Sequence, residues 1–238
     1  MQRGSIGVLV VAACLIAGSA SAGPVSFTKL SGADVGGSPA ATAVYEADLS
    51  GNGNILSLTI ADNSTGLGGA AGQFSGFDLD AIVLSYTDIS DTSQLGTVVP
   101  LAVFNFSPAG TFFTPGVQRA PANPKLFGTD VTGTLVDNLV ATLGAFDANS
   151  AVVVPPAFGF ISMGDGGVLS FNLSGLVNTT NLHLYIGEVG DNGEVAAGSV
   201  TVSQDPASPV PEPGTLTLLG SGLLAAVRSA RNRRRSNV

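Results

Sequence analysis

Two aspartates flank one leucine in Phe77-Asp78-Leu79-Asp80-Ala81, a spacing that invites ion chemistry. On a strand, residues two apart share a face, so both carboxylates would stand about 7 Å apart and would favour a bridging cation. Calcium suits oxygen ligands in an extracellular module, and Asp191 or Glu194 from a second loop would extend the set to Asp78, Asp80, Asp191 and Glu194. Neither EF-hand spacing nor a glycine-aspartate nonapeptide repeat accompanies them, so two solvent-facing aspartates at a strand start are the plainer reading. Asp191-Asn192-Gly193-Glu194 could likewise ligate an ion or a sugar hydroxyl, but it reads more simply as an Asx-type hairpin turn.

Hydrolytic chemistry has little to work with. His183 is the only histidine, and in Asn181-Leu182-His183-Leu184-Tyr185-Ile186 alternation places it beside Tyr185 on the polar face. There is no Gly-x-Ser-x-Gly elbow, and Ser162 between Gly159 and Gly164 has the wrong spacing. One histidine cannot build a zinc site of the usual kind. Carboxylate-pair hydrolysis would have to draw on Glu46, Glu188 or Glu194 and the aspartates. No catalytic residue is assigned, and a nonenzyme is expected. Glycan binding through stacked aromatics is thinly supplied, with no Trp and three Tyr. Phe112-Phe113, between prolines, is the one candidate contact patch, against a plug folded over a sheet edge.

The elements expected to carry these residues are short strands. Glycine at 32 of 238 residues, few charges and many brief apolar runs point to strands joined by tight turns. Ala43 to Leu49 and Asn54 to Ile60 would pair across Ser50-Gly51-Asn52-Gly53, with Leu56, Leu58 and Ile60 alternating against Ser57 and Thr59. Phe77 to Tyr86 reads as a central strand and Thr97 to Phe106 as the next, while Ser107 to Pro124 reads as an irregular excursion. Leu135, Val136, Leu139, Val140 and Leu143 recur at helical spacing, so Thr134 to Gly144 is expected as a short helix, with a strand pair as the alternative. Ala151 to Val154, Phe158 to Met163, Val168 to Leu173, Leu182 to Glu188 and Glu194 to Val202 complete about nine or ten strands. The fold class is all-β, an antiparallel, jelly-roll-like β-sandwich.

Both ends of the chain look like addresses. Arg3, the apolar run Ile6 to Ala17 and the small residues Ala20-Ser21-Ala22 before Gly23 have the layout of a secretory signal peptide, cut by signal peptidase after Ala22. A lipoprotein box ending at Cys14 is the competing reading, but Leu15-Ile16-Ala17 would continue the apolar run past that cut. At the other end, Val210-Pro211-Glu212-Pro213 precedes an apolar stretch from Gly214 to Val227 and then Arg228, Arg231, Arg233, Arg234 and Arg235. Fourteen residues make a helix of about 21 Å, a marginal span, and the arginines would hold that end cytoplasmic.

This order resembles the PEP-CTERM sorting signal of Gram-negative bacteria. The resemblance implies that an exosortase in the membrane removes the tail near Pro211, Glu212 and Pro213, and that the protein passes to an exopolysaccharide-rich surface or to the medium. A permanent anchor is the alternative. The expected organisation is a signal peptide over 1–22, a β-sandwich over 23–202, a proline-rich linker over 203–209 and the sorting signal over 210–238.

Between those ends all 17 acidic residues remain, but only Lys29, Arg119 and Lys125 are basic, which leaves a net charge of −14. Such a surface repels nucleic acid and anionic lipid. No cysteine lies beyond Cys14, so the domain has no disulfide available. A secreted, noncatalytic structural or adhesive protein of the surface or biofilm matrix is the expectation, with exosortase, the secretion machinery and exopolysaccharide as partners. The alternatives are an extracellular carbohydrate-active hydrolase and a calcium-dependent glycan-binding module. Calcium is the one cofactor the pattern leaves open.

Overall fold

A computed structural model describes residues 25–36, 41–63, 70–148, 159–191 and 201–207. Nine strands among them form two antiparallel sheets. The first sheet holds β1 (Thr28–Lys29), β2 (Thr42–Asp48), β4 (Asp78–Ser85), β6 (Ile161–Ser162) and β8 (His183–Val189), in the order β1-β2-β8-β4-β6. The second holds β3 (Asn54–Ala61), β5 (Thr111–Thr114), β7 (Val168–Asn178) and β9 (Thr201–Ser203), in the order β5-β7-β3-β9. Leu58, Ile60, Leu169, Phe171 and Val202 from one sheet meet Leu79, Ile82, Leu84, Leu184 and Ile186 from the other in one buried cluster. That interlayer makes the molecule a β-sandwich, and each large apolar side chain in it contributes roughly 1.5–3 kcal/mol by leaving water.

Alternation sets most of this core, and bulges adjust it. In β3 the register slips between Ile55 and Ser57, so Ile55, Leu58 and Ile60 are buried while Leu56 is only half-buried. The expected strict series Leu56-Leu58-Ile60 is therefore corrected at its first member. In β4 the register slips between Leu79 and Ile82, which lets both point into the interlayer. The opposite face of this sheet is dry as well. Val44, Val83 and Tyr185 pack there with Leu30 and Ile89 beneath the segment that includes the 3-10 turn Thr92–Thr97.

Two expected elements are absent. Thr97 to Phe106 is not a strand: Pro100 has no N–H to give a ladder, and Leu101 makes one bond to the Leu84 carbonyl before Val103 turns back on Leu101. Thr134 to Gly144 is neither a helix nor a strand pair. The Asp130 carboxylate takes the N–H groups of Thr134 and Leu135, and Asp137 takes that of Leu139, so side chains compete for donors a helix would need. Leu139 is left 82% exposed, which removes the packing that would have sustained a helical stripe.

The excursion from Ser107 to Pro124 contains one strand that its prolines concealed. Thr111–Thr114 pairs with Phe171 to Val168 and places Phe113 in the core, so Phe112-Phe113 belongs to a sheet edge rather than to a free loop. Of the expected last strand, Thr201–Ser203 is described, whereas 194–200 and the strand expected at Ala151 to Val154 lie outside the described residues.

Candidate functional site

The first sheet buries three carboxyl groups, Asp78, Asp80 and Glu188, of which Asp80 and Glu188 lie on opposite faces. Asp80 sits on β4 on the face turned away from the second sheet, fully buried. Its Oδ2 accepts from Thr42 Oγ1 at 2.8 Å, and its Oδ1 accepts from the backbone N–H groups of Asp147 at 3.3 Å and Ala148 at 3.0 Å. Gly187 of β8 makes this possible, because a Cβ there would lie 2.7 Å from Thr42 Cγ2 and 3.0 Å from Asp80 Cβ. Burial pushes the Asp80 carboxyl up to about 7 despite the hydrogen bonds that favour its ionised form. Asp80 thus ties β2, β4 and the 147–148 segment together.

Glu188 lies on the other face. Its Cα partners are Ala43 and Leu79, so it points into the interlayer, and it is 0% exposed. Oε2 accepts the backbone N–H of Asp191 at 2.7 Å, while Oε1 has no hydrogen-bond partner among the described residues. Burial pushes this carboxyl up to about 7 as well. At the rim above it, Lys29 Nζ lies 2.5 Å from Asp191 Oδ2 and 3.2 Å from Asp34 Oδ1. Tyr45, the cross-strand partner of Lys29, is pushed up to about 12, chiefly by burial and then by the charge of Glu188.

The sequence reading singled out Asp78, Asp80, Asp191 and Glu194 as metal ligands. Asp78 and Asp80 are buried on β4, Asp191 is engaged by Lys29, and Glu194 lies outside the described residues. Among the described residues no group of three or more His, Cys, Asp or Glu side chains is placed to hold a metal ion. Asp78 and Asp80 are not solvent-facing, because the segments over this face cover what a lone strand would leave wet. Glu188 received no role of its own from the sequence. Its signal was parity: it shares the phase of Leu184 and Ile186, both core residues.

His183 is held rather than free. Its Nδ1 is 2.8 Å from Glu46 Oε1, and Asp88 Oδ1 is 4.0 Å away. It does share a face with Tyr185, at 6.4 Å between ring centres, but Tyr185 is fully buried and bonds Thr87 and Ile89 through its hydroxyl. A cleft of about 410 Å³ opens beside Phe106, Ala141, Leu143 and Gly144, and its walls are mostly apolar.

The comparisons with known proteins address the end of the chain. Residues 209–235 match the family described as PEP-CTERM protein-sorting motif. The chain carries a PEP-CTERM sorting signal. The matched range spans Val210, Pro211, Glu212, Pro213 and all five arginines from Arg228 to Arg235. A PEP-CTERM signal marks an exported protein sorted at the membrane by an exosortase. No curated protein and no solved structure matches the chain. Among the described residues no helix is long and apolar enough to cross a membrane; the apolar stretch of the PEP-CTERM segment, Gly214 to Val227, lies outside them, as do Ala20, Ala22 and Gly23 of the expected signal-peptide cut.

Proposed function

We propose that this exosortase-sorted protein acts at the cell surface or in the exopolysaccharide matrix as a noncatalytic structural or adhesive component. The observation that carries the reading is the sorting signal at 209–235, joined to a domain whose regular structure is nearly all β-strand. The disposition of its chemistry is consistent with this role. Asp80 holds a loop, His183 is paired with Glu46, and Arg119 is paired with Asp165, so these groups serve the fold. The acidic surface keeps such a domain soluble and apart from anionic lipid once its tail is gone.

The test is the intact mass, with terminal peptide identification, of the protein recovered from the surface and medium of its host. An N-terminus at Gly23 and loss of the chain beyond the Val210 to Pro213 motif are expected, together with co-sedimentation with the exopolysaccharide. An arginine tail retained in the membrane fraction would overturn the matrix role, and release of sugar from host polysaccharide would overturn the nonenzyme reading.

A further inference from the structure

Lys29, Glu188 and Asp191 meet at one corner of the first sheet although 162 residues separate the lysine from the aspartate. Register explains how. Lys29 is the Cα partner of Tyr45, Tyr45 of Ile186, and Ala43 of Glu188, so Lys29 and Glu188 share the interlayer face two strands apart. Ala43 lies on β2 beside Glu188, and the Lys29 ammonium ends 2.5 Å from Asp191 Oδ2. Glu188 grips the backbone of the same aspartate at 2.7 Å, and its other oxygen, Oε1, is buried with no hydrogen-bond partner among the described residues.

We propose that Lys29 and Asp191 condense into an intramolecular isopeptide bond, with Glu188 relaying the proton. The lysine Nζ gives one proton to the Glu188 carboxylate and attacks Asp191 Cγ, forming the C–N bond. The Cγ–O bond breaks, and the departing oxygen takes the relayed proton and the second amine proton and leaves as water. One ammonium and one carboxylate thus become one amide and one water, with no oxidant, reductant or cofactor consumed.

The hydrogen bond that Lys29 donates to Asp191 raises the Lys29 pKa, so the amine needs a base, and buried Glu188, near enough for the Lys29 charge to act on it, supplies a carboxyl with raised proton affinity. Holding nucleophile and electrophile in contact replaces a bimolecular encounter and is the main driving factor. The Lys29 and Asp191 side chains are 38% and 36% exposed, which gives the water a way out. The product would bolt the first strand to the end of β8 in a domain without cysteine, closing a long loop as a disulfide does elsewhere.

The experiment is intact mass spectrometry of the purified, denatured full chain, followed by peptide mapping. Denaturation dissolves an ion pair but not an amide. A mass lower than that of the sequence by one water, and a branched peptide joining Lys29 to Asp191, are expected. Lys29→Arg keeps the ion pair but cannot form the amide, so it should restore the full mass and lower the melting temperature. Glu188→Gln should leave most chains unlinked. A wild-type mass equal to that of the sequence overturns the proposal and leaves a plain ion pair, and full linkage in Glu188→Gln overturns the role of Glu188. The outcome does not bear on sorting, so either reading can fail alone.

Discussion

At the residue scale, burial governs how Asp80 and Glu188 respond to pH. Both carboxyls stand near 7 in the folded chain, against ordinary values of 3.8 and 4.5. The native state therefore binds extra protons between about pH 4 and pH 7, and the stability they contribute is complete below that window and lost as pH rises through it. Asp48, Asp91 and Asp130 are lowered by hydrogen bonds from neighbouring hydroxyl and N–H groups and act in the opposite sense, but they are exposed and solvent screens them. Stability should decline by a few kcal/mol in all from about pH 5 to pH 8, given ~1.4 kcal/mol for each pKa unit. In Asp80→Asn the side-chain oxygen still accepts from Asp147 and Ala148, and the amide can donate to Thr42. That variant should fold, lose about half of the decline and gain roughly 1–3 kcal/mol at pH 8. Urea titrations at pH 5 and pH 8 check this, and an unchanged slope would refute it.

At the element scale, the irregular chain between β5 and β6 is secured by side chains rather than by ladders. Arg119 Nε and Nη2 engage both oxygens of Asp165 at 2.6–3.0 Å, and the adjoining backbone pairs Val117 with Asp165. The pair is only 16% and 20% exposed. Arg119→Ala should therefore cost more than a surface ion pair and less than a wholly buried one, about 2–3 kcal/mol by denaturant unfolding. A loss under about 0.5 kcal/mol would mean that this segment is not held by the fork. None of this was legible in the sequence, where Arg119 stood alone in a proline-rich run 46 residues from its partner. The 3.6-residue pattern from Leu135 to Leu143 was legible and misleading, since periodicity marks a face only when something packs against it.

At the scale of the whole molecule, charge dominates. The span from Gly23 to Pro213 carries 17 acidic and three basic residues, and two of the basic ones are already paired with Asp165 or with Asp34 and Asp191. Self-repulsion of this kind acts over about a Debye length, roughly 10 Å at 0.1 M salt, and disfavours the compact state. The melting temperature of the processed protein should rise by a few degrees between low salt and 0.5 M sodium chloride at pH 8, the opposite of a fold held by surface ion pairs. A fall would show that the surface ion pairs outweigh the repulsion.

The sequence by itself determined the sorting signal, the all-β class, the lack of cysteine in the domain and most strands with inward-facing residues. Each of these is written in local order: a motif followed by an apolar run and arginines, or a period of two between glycine-rich turns. Only the tertiary structure decided which acids are buried, because the face of a strand that stays wet depends on what crosses over it. Segments far away in the chain cover Asp80, and Glu188 is buried on the face that its register turns toward the second sheet. The meeting of Lys29 with Asp191 belongs to the same class, since sheet order, β1 beside β2 and β2 beside β8, brings together residues that no spacing along the chain relates.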